Sequence, residues 1–160
     1  MREDLFISVQ DLPAPRREVF AFFSDPANLE ALTPPWLRFE VLTAKPLPRG
    51  EGALFDYRIH VRGLPIRWRT LIETFVPDEC FADRQVSGPY ALWHHTHRFE
   101  DLPDGGTRMT DQVRYSLGWG FLGRLITALW VRRDIERIFA YRKAVLGELF
   151  KPAPAPRTGP

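Results

Sequence analysis

Between residues 53 and 117, large apolar side chains and polar ones take alternate positions, segment after segment. Phe55, Tyr57, Ile59 and Val61 alternate with Asp56, Arg58, His60 and Arg62; Trp68, Thr70 and Ile72 alternate with Arg67, Arg69 and Leu71. A period of two marks a strand with one face buried and the other in water. Turn residues punctuate the region at Pro48-Arg49-Gly50, Gly63-Leu64-Pro65, Pro77-Asp78-Glu79, Gly88-Pro89 and Asp104-Gly105-Gly106. Such short connections join neighbouring strands as antiparallel hairpins. A chain written this way makes one antiparallel sheet, and its aromatic face needs an apolar cover.

The cover is legible at the C-terminal end. Gly118, Gly120 and Gly123 lead into a pattern that predicts a long helix over 121–150, with an apolar stripe at Phe121, Leu125, Ala128, Ile135, Phe139, Leu146 and Leu149. Arg132 and Arg142 fall in the same stripe. The glycine-rich run suits the loop leading into the helix or a lid over a cavity. Upstream, a strand over 3–12 is followed by a helix from Pro15 through Phe23. A second, short helix over 27–32 has Asp25 as its cap and Pro26 at its first position. Strands are expected near 37–44, 53–62, 65–76, 80–87, 90–101 and 107–117. The fold class is α+β, a seven-stranded curved antiparallel sheet wrapped on a long C-terminal helix.

The 160 residues suit a single domain over 1–150, with the proline-rich tail 151–160 left out of the fold. A net charge of +2 is too balanced for a dedicated nucleic-acid binder. The lone cysteine, Cys80, rules out an intramolecular disulfide framework. The N-terminus has no signal-peptide pattern, and the most apolar stretch, residues 118–131, is too short to span a bilayer and contains Arg124. A cytoplasmic location is expected; the oligomeric state is not legible.

Three of the four histidines, His94, His95 and His97, fall within one four-residue window. Alternation divides them. His95 and His97 share a face with Trp93 and Phe99, while His94 shares the opposite one with Thr96 and Arg98. The arginine-rich parity is the solvent face. Asp83, Gln85, Asp111, Tyr57 and Thr70 therefore join His95 and His97 on the concave face, among tryptophans. Such groups are costly to bury unpaired. Arg132 and Arg142, on the inward stripe of the helix, are the natural partners for Asp83 and Asp111. Two readings stand side by side: an ionic network that locks helix to sheet, and a cavity whose polar groups orient a mostly apolar ligand.

The series Trp68-x-Thr70-x-Ile72, Phe81-x-Asp83-x-Gln85-x-x-Gly88-Pro89-Tyr90, Trp93-x-His95-x-His97-x-Phe99, Asp111-x-Val113-x-Tyr115 and Phe139-x-Tyr141-Arg142 resembles the helix-grip superfamily called SRPBCC, START or Bet-v-allergen-like. Within it the chain looks like the bacterial polyketide cyclase/dehydrase-like ligand-binding branch. The resemblance covers residues 3–150. It implies the helix-grip fold, but fold alone names no reaction, because the same scaffold hosts carriers, receptors and enzymes.

The expected function is a small-molecule binding module that holds an amphipathic or hydrophobic ligand, such as a lipid, an isoprenoid or an aromatic polyketide-like compound, between sheet and helix. Candidate ligand-binding residues on the sheet are Tyr57, Trp68, Thr70, Asp83, Gln85, Trp93, His95, His97, Phe99, Asp111 and Tyr115. The helix adds Arg132, Phe139 and Arg142. The alternative is a cyclase or dehydratase in which His95 or His97 is a general base oriented by Asp111 or Asp83. An interaction protein using the arginine face or the tail is a third class. His95-x-His97 also puts two imidazoles on one side of a strand, with Asp83 or Asp111 as a possible third metal ligand. The same face carries Trp93 and Phe99 and no cysteine, so no metal and no cofactor are assigned.

Overall fold

The computed structural model describes residues 3–117 and 130–151. Strand β1 (Asp4–Leu12) ends where Pro13 removes a ladder donor. Helix α1 (Arg16–Ser24) follows, with the Pro15 carbonyl accepting from the amides of Glu18 and Val19. Val19, Phe20 and Phe23 form its buried side.

The helix expected over 27–32 is a single 3-10 turn, Pro26–Asn28, capped as anticipated by Asp25, whose Oδ1 accepts from the Ala27 amide at 3.0 Å. A second 3-10 turn, Pro35–Leu37, was not anticipated. It displaces the start of the strand expected over 37–44, which shrinks to β2 (Glu40–Val41). Pro34 and Pro35 carry no amide hydrogen for a ladder, and Arg38 sits in the left-handed region at φ 43°, which a strand cannot use.

The remaining strands are β3 (Leu54–Val61), β4 (Leu64–Val76), β5 (Cys80–Ser87), β6 (Leu92–Asp101) and β7 (Thr107–Ser116). They form one seven-stranded sheet in the order β1-β7-β6-β5-β4-β3-β2, antiparallel throughout. An irregularity between Ile72 and Thr74 breaks strict alternation on β4. It leaves both Ile72 and Phe75 on the inner side.

The outer face is the arginine face. Arg69 is paired bidentately with Asp56, and Arg108 likewise with Asp11. Arg114 donates from two nitrogens to Glu3.

Helix α2 (Arg132–Leu149) packs its Ile135, Phe139 and Leu146 inward. The earlier part of the expected helix, with Phe121, Leu125 and Ala128, lies outside the described residues. So do the glycine-rich run from Gly118 and the tail from residue 152. Among the described residues no helix is long and apolar enough to cross a membrane.

The concave face is used in two ways. On the β1 and β7 side it is filled. Leu12, α1, Phe81, Phe99, Met109, Leu146 and Phe150 form one apolar cluster. Val113, Tyr115, Ile135 and Phe139 form a second, joined by Phe6 and Trp93. On the β3 and β4 side the inner face bounds a cavity.

Candidate functional site

The cavity has a volume of about 880 Å³ and is walled by inward residues of β3 to β6, by the two 3-10 turns and by α2. Tyr57, Ile59, Trp68 and Trp93 supply much of its aromatic and aliphatic surface. Tyr57 and Trp68 stack with ring centroids 5.9 Å apart, and Trp93 meets Trp68 edge-on at 5.3 Å. The Tyr57 hydroxyl lies 3.3 Å from Thr70 Oγ1. Burial raises the Tyr57 phenol far above its ordinary range, so it stands as a neutral hydroxyl.

One end is polar, and the register of three strands builds it. Asp83 on β5 stands opposite His95 on β6, and His97 on β6 stands opposite Asp111 on β7. The diagonals close the set. His95 Nε2 donates to Asp111 Oδ1 at 2.9 Å. His97 Nδ1 lies 2.7 Å from the same oxygen, off the line of a good ring N–H bond. The other nitrogen of each ring faces Asp83: His95 Nδ1 is 3.7 Å and His97 Nε2 3.6 Å from Asp83 Oδ2. Both distances are too long for hydrogen bonds. Phe81 stacks on His97 at 4.2 Å and the edge of Phe139 meets His95 at 5.6 Å, which holds the rings in place.

Charge follows from these contacts. Burial would raise the Asp111 carboxyl, but the electrostatic attraction of His97 and the hydrogen bond from His95 outweigh it and hold Asp111 far below the carboxylate range. Asp83 is lowered too: burial is overcome by His97, His95 and Arg142. Burial works against a charged His97, yet Asp111 and Asp83 raise it above an ordinary histidine. His95, desolvated and next to His97, is lowered despite the two carboxylates.

Arg142 places a guanidinium beside the set. Its side chain is 12% exposed, its Nη1 lies 3.9 Å from Asp111 Oδ1, and its guanidinium sits over the Phe139 ring at 4.9 Å. It lines the cavity, and its Nε and Nη1 have no hydrogen-bond partner. Buried guanidinium donors are rarely left unmet.

Tyr57, Trp68, Thr70, Asp83, Trp93, His95, His97 and Arg142 are thus brought to one cavity. Six other candidate residues stand elsewhere. Asp111 is behind the histidines, fully buried, and orients them. Phe99, Tyr115 and Phe139 have the inward parity but sit in the packed half of the sheet, where α1 and α2 fill the space. Gln85 is spent on the turn that follows it: its Nε2 donates to the Tyr90 carbonyl at 2.6 Å and its Oε1 accepts from the Tyr90 amide at 3.3 Å. That clasp aims Tyr90 at the cavity and needs Gly88, because a Cβ there would overlap the Gln85 amide.

Arg132 is the plain correction. Its side chain is 65% exposed and its Nε donates to Glu136 Oε1 one turn on, at 3.1 Å. Val131, four residues before Ile135, packs inward instead. Stepping back from Ile135 by four rather than three moves the arginine to the surface.

Trp36, Leu32 and Phe39 also line the cavity but were not anticipated. They lie in the irregular segment after α1, where no periodicity assigns a face.

The family model described as polyketide cyclase / dehydrase and lipid transport matches residues 12–137. No curated protein matches the sequence. Among solved structures, a protein from Chromobacterium violaceum is similar with a TM-score of 0.70 at 16% identity, over 94% of this chain and 99% of that one. A START superfamily protein from Mycobacterium smegmatis gives 0.68 at 10% identity, over 91% and 98%. A Streptomyces aromatase/cyclase gives 0.66 at 14%, over 92% and 96%. These likenesses show a shared helix-grip fold.

Proposed function

The chain belongs to the polyketide cyclase/dehydrase and lipid-transport family, and on that premise we propose that it binds one amphipathic small molecule between sheet and helix. The apolar body of the ligand lies against Tyr57, Trp68 and Trp93, and an acidic or carbonyl head group meets Arg142. The observation that carries this reading is Arg142, which lines a mostly apolar cavity of about 880 Å³ while its buried Nε and Nη1 lack hydrogen-bond partners. A head group with oxygen acceptors would meet the guanidinium of Arg142 where it lines the cavity, and charged hydrogen bonds of this kind contribute about 1.5–3 kcal/mol each. The volume suits a drug-sized or lipid-sized ligand.

Titration with 8-anilinonaphthalene-1-sulfonate, an anionic aromatic amphiphile, tests it. The reading expects saturable one-to-one binding, displaced by long-chain carboxylates more readily than by their methyl esters. No saturable binding, or displacement that ignores the head group, would count against it.

A second reading has its own support. His95 and His97 each keep one ring nitrogen free of hydrogen bonds on the cavity side, next to Asp83. An imidazole held by a buried carboxylate is the arrangement of a general base, here for a cyclase or dehydratase acting on a polyketide-like substrate. Under this reading His97→Ala abolishes turnover of such a substrate while binding persists; unchanged turnover in both histidine variants refutes it.

A further inference from the structure

We infer that Asp83, His95 and His97 form a binding site for one divalent transition-metal ion, with the open side of the ion facing the cavity. Asp83 Oδ2, His95 Nδ1 and His97 Nε2 converge from two adjacent strands, and three such donor atoms lie within 4.8 Å of one another. The separations of 3.7 and 3.6 Å from Asp83 to the two rings are too long for hydrogen bonds. They are close to the spacing of ligands around a common ion with bonds of about 2.0–2.2 Å, so a small closing movement suffices.

The tautomer points the same way. An ionised carboxylate only accepts, so the bond from His95 to Asp111 places the proton on Nε2. The His95 Nδ1 lone pair then faces the Asp83 oxygen with no hydrogen between them. Two acceptors aimed at one point, with a second imidazole nitrogen beside them, make a place for a cation.

The surroundings have the form of a metal site. Metal-bound histidines commonly give their other nitrogen to a carboxylate, which orients the ring and strengthens the ligand. Asp111 stands at that position for both histidines, at 2.9 and 2.7 Å. Phe81 and Phe139 restrain the rings. Two nitrogens and one oxygen suit zinc and its first-row neighbours rather than calcium or magnesium. Three protein ligands leave a coordination position free, and all three residues line the cavity. If the cavity holds the amphiphile proposed above, its head group can reach both the ion and Arg142; that extension rests on the earlier reading, whereas the metal site does not.

The test uses the full chain stripped with a chelator and titrated with Co²⁺, then Zn²⁺, with no organic ligand present. The expected result is one Co²⁺ per chain with visible d–d bands, displaced by one equivalent of Zn²⁺. Asp83→Asn and His97→Gln should abolish the bands, and Asp111→Asn, which leaves all three donors, should weaken binding about 10–100-fold. His94→Gln, on the outer face beside Glu73, should leave the bands unchanged. Wild-type protein without stoichiometric binding, or bands that survive His97→Gln, would overturn the site. Should the variants fail to fold, X-ray absorption on the Co²⁺-loaded wild type decides: two imidazoles in the first shell support the site, none refutes it. Amphiphile binding by the metal-free protein is measured separately, so failure of one proposal is not failure of the other.

Discussion

His95 Nε2 and Asp111 Oδ1 are hydrogen-bonded at 2.9 Å although they are not paired in register, since His95 stands opposite Val113 and Asp111 opposite His97. The carboxylate reaches along its strand to hold one ring while abutting the other. One buried acid thereby sets the orientation of two histidines and leaves the outward nitrogen of each on the cavity. The polar end of the cavity depends on that acid without exposing it.

Removing Asp111 should accordingly be expensive. Asp111→Ala leaves two buried imidazoles and the Arg142 guanidinium without their closest carboxylate, and breaking a buried pair in this way costs about 3–5 kcal/mol. Urea unfolding should show a lower midpoint with an unchanged slope.

The two helix arginines should behave oppositely. Arg132→Ala removes only an exposed i,i+4 contact with Glu136, and stability should change by less than about 0.5 kcal/mol. Arg142→Met should weaken binding of a carboxylate amphiphile by roughly 10–100-fold, the equivalent of one charged hydrogen bond, and leave the methyl ester nearly unaffected. Competitive displacement of the fluorescent probe reads both.

Leu146 is fully buried in the larger apolar cluster. Leu146→Ala should destabilise by about 2–5 kcal/mol, set by how far the rest of that cluster relaxes into the space. Calorimetric or urea unfolding measures it.

Stability should fall at alkaline pH through Tyr57 and Tyr90. Burial raises both phenols above their ordinary range. A group raised in the folded state stabilises fully below its unfolded pKa, about 10 for tyrosine, and that stability drains away as pH rises further. Ultraviolet titration should show a tyrosine fraction that ionises only as the protein unfolds, smaller in Tyr57→Phe and in Tyr90→Phe.

Much of this was written in the chain as parity. Alternation on one strand was enough to place His95 and His97 inside and His94 outside, and the arginine positions marked the solvent face. Parity cannot say what stands opposite a strand. Phe99, Tyr115 and Trp93 share the inward direction, yet α1 and α2 fill the space above β7 and leave it open above β3 and β4. Register was equally hidden: that Asp83 faces His95 and His97 faces Asp111 depends on turn geometry, not on the spacing within any one segment. Arg132 failed as a core partner because a stripe that alternates steps of three and four admits two continuations before Ile135, and packing chose Val131. The segment 34–39 carries Trp36 and Phe39 to the cavity through a 3-10 turn and one left-handed residue, neither of which leaves a periodic trace.

Native mass spectrometry of the full chain shows whether the cavity is occupied. Protein mixed with an equimolar series of long-chain carboxylates and their methyl esters should show a single one-to-one adduct enriched in the acids, lost in Ile66→Trp, which fills the cavity wall, and losing its acid preference in Arg142→Met. Adducts of several ligands per chain, or a one-to-one adduct that Ile66→Trp does not diminish while the variant remains folded, would contradict it.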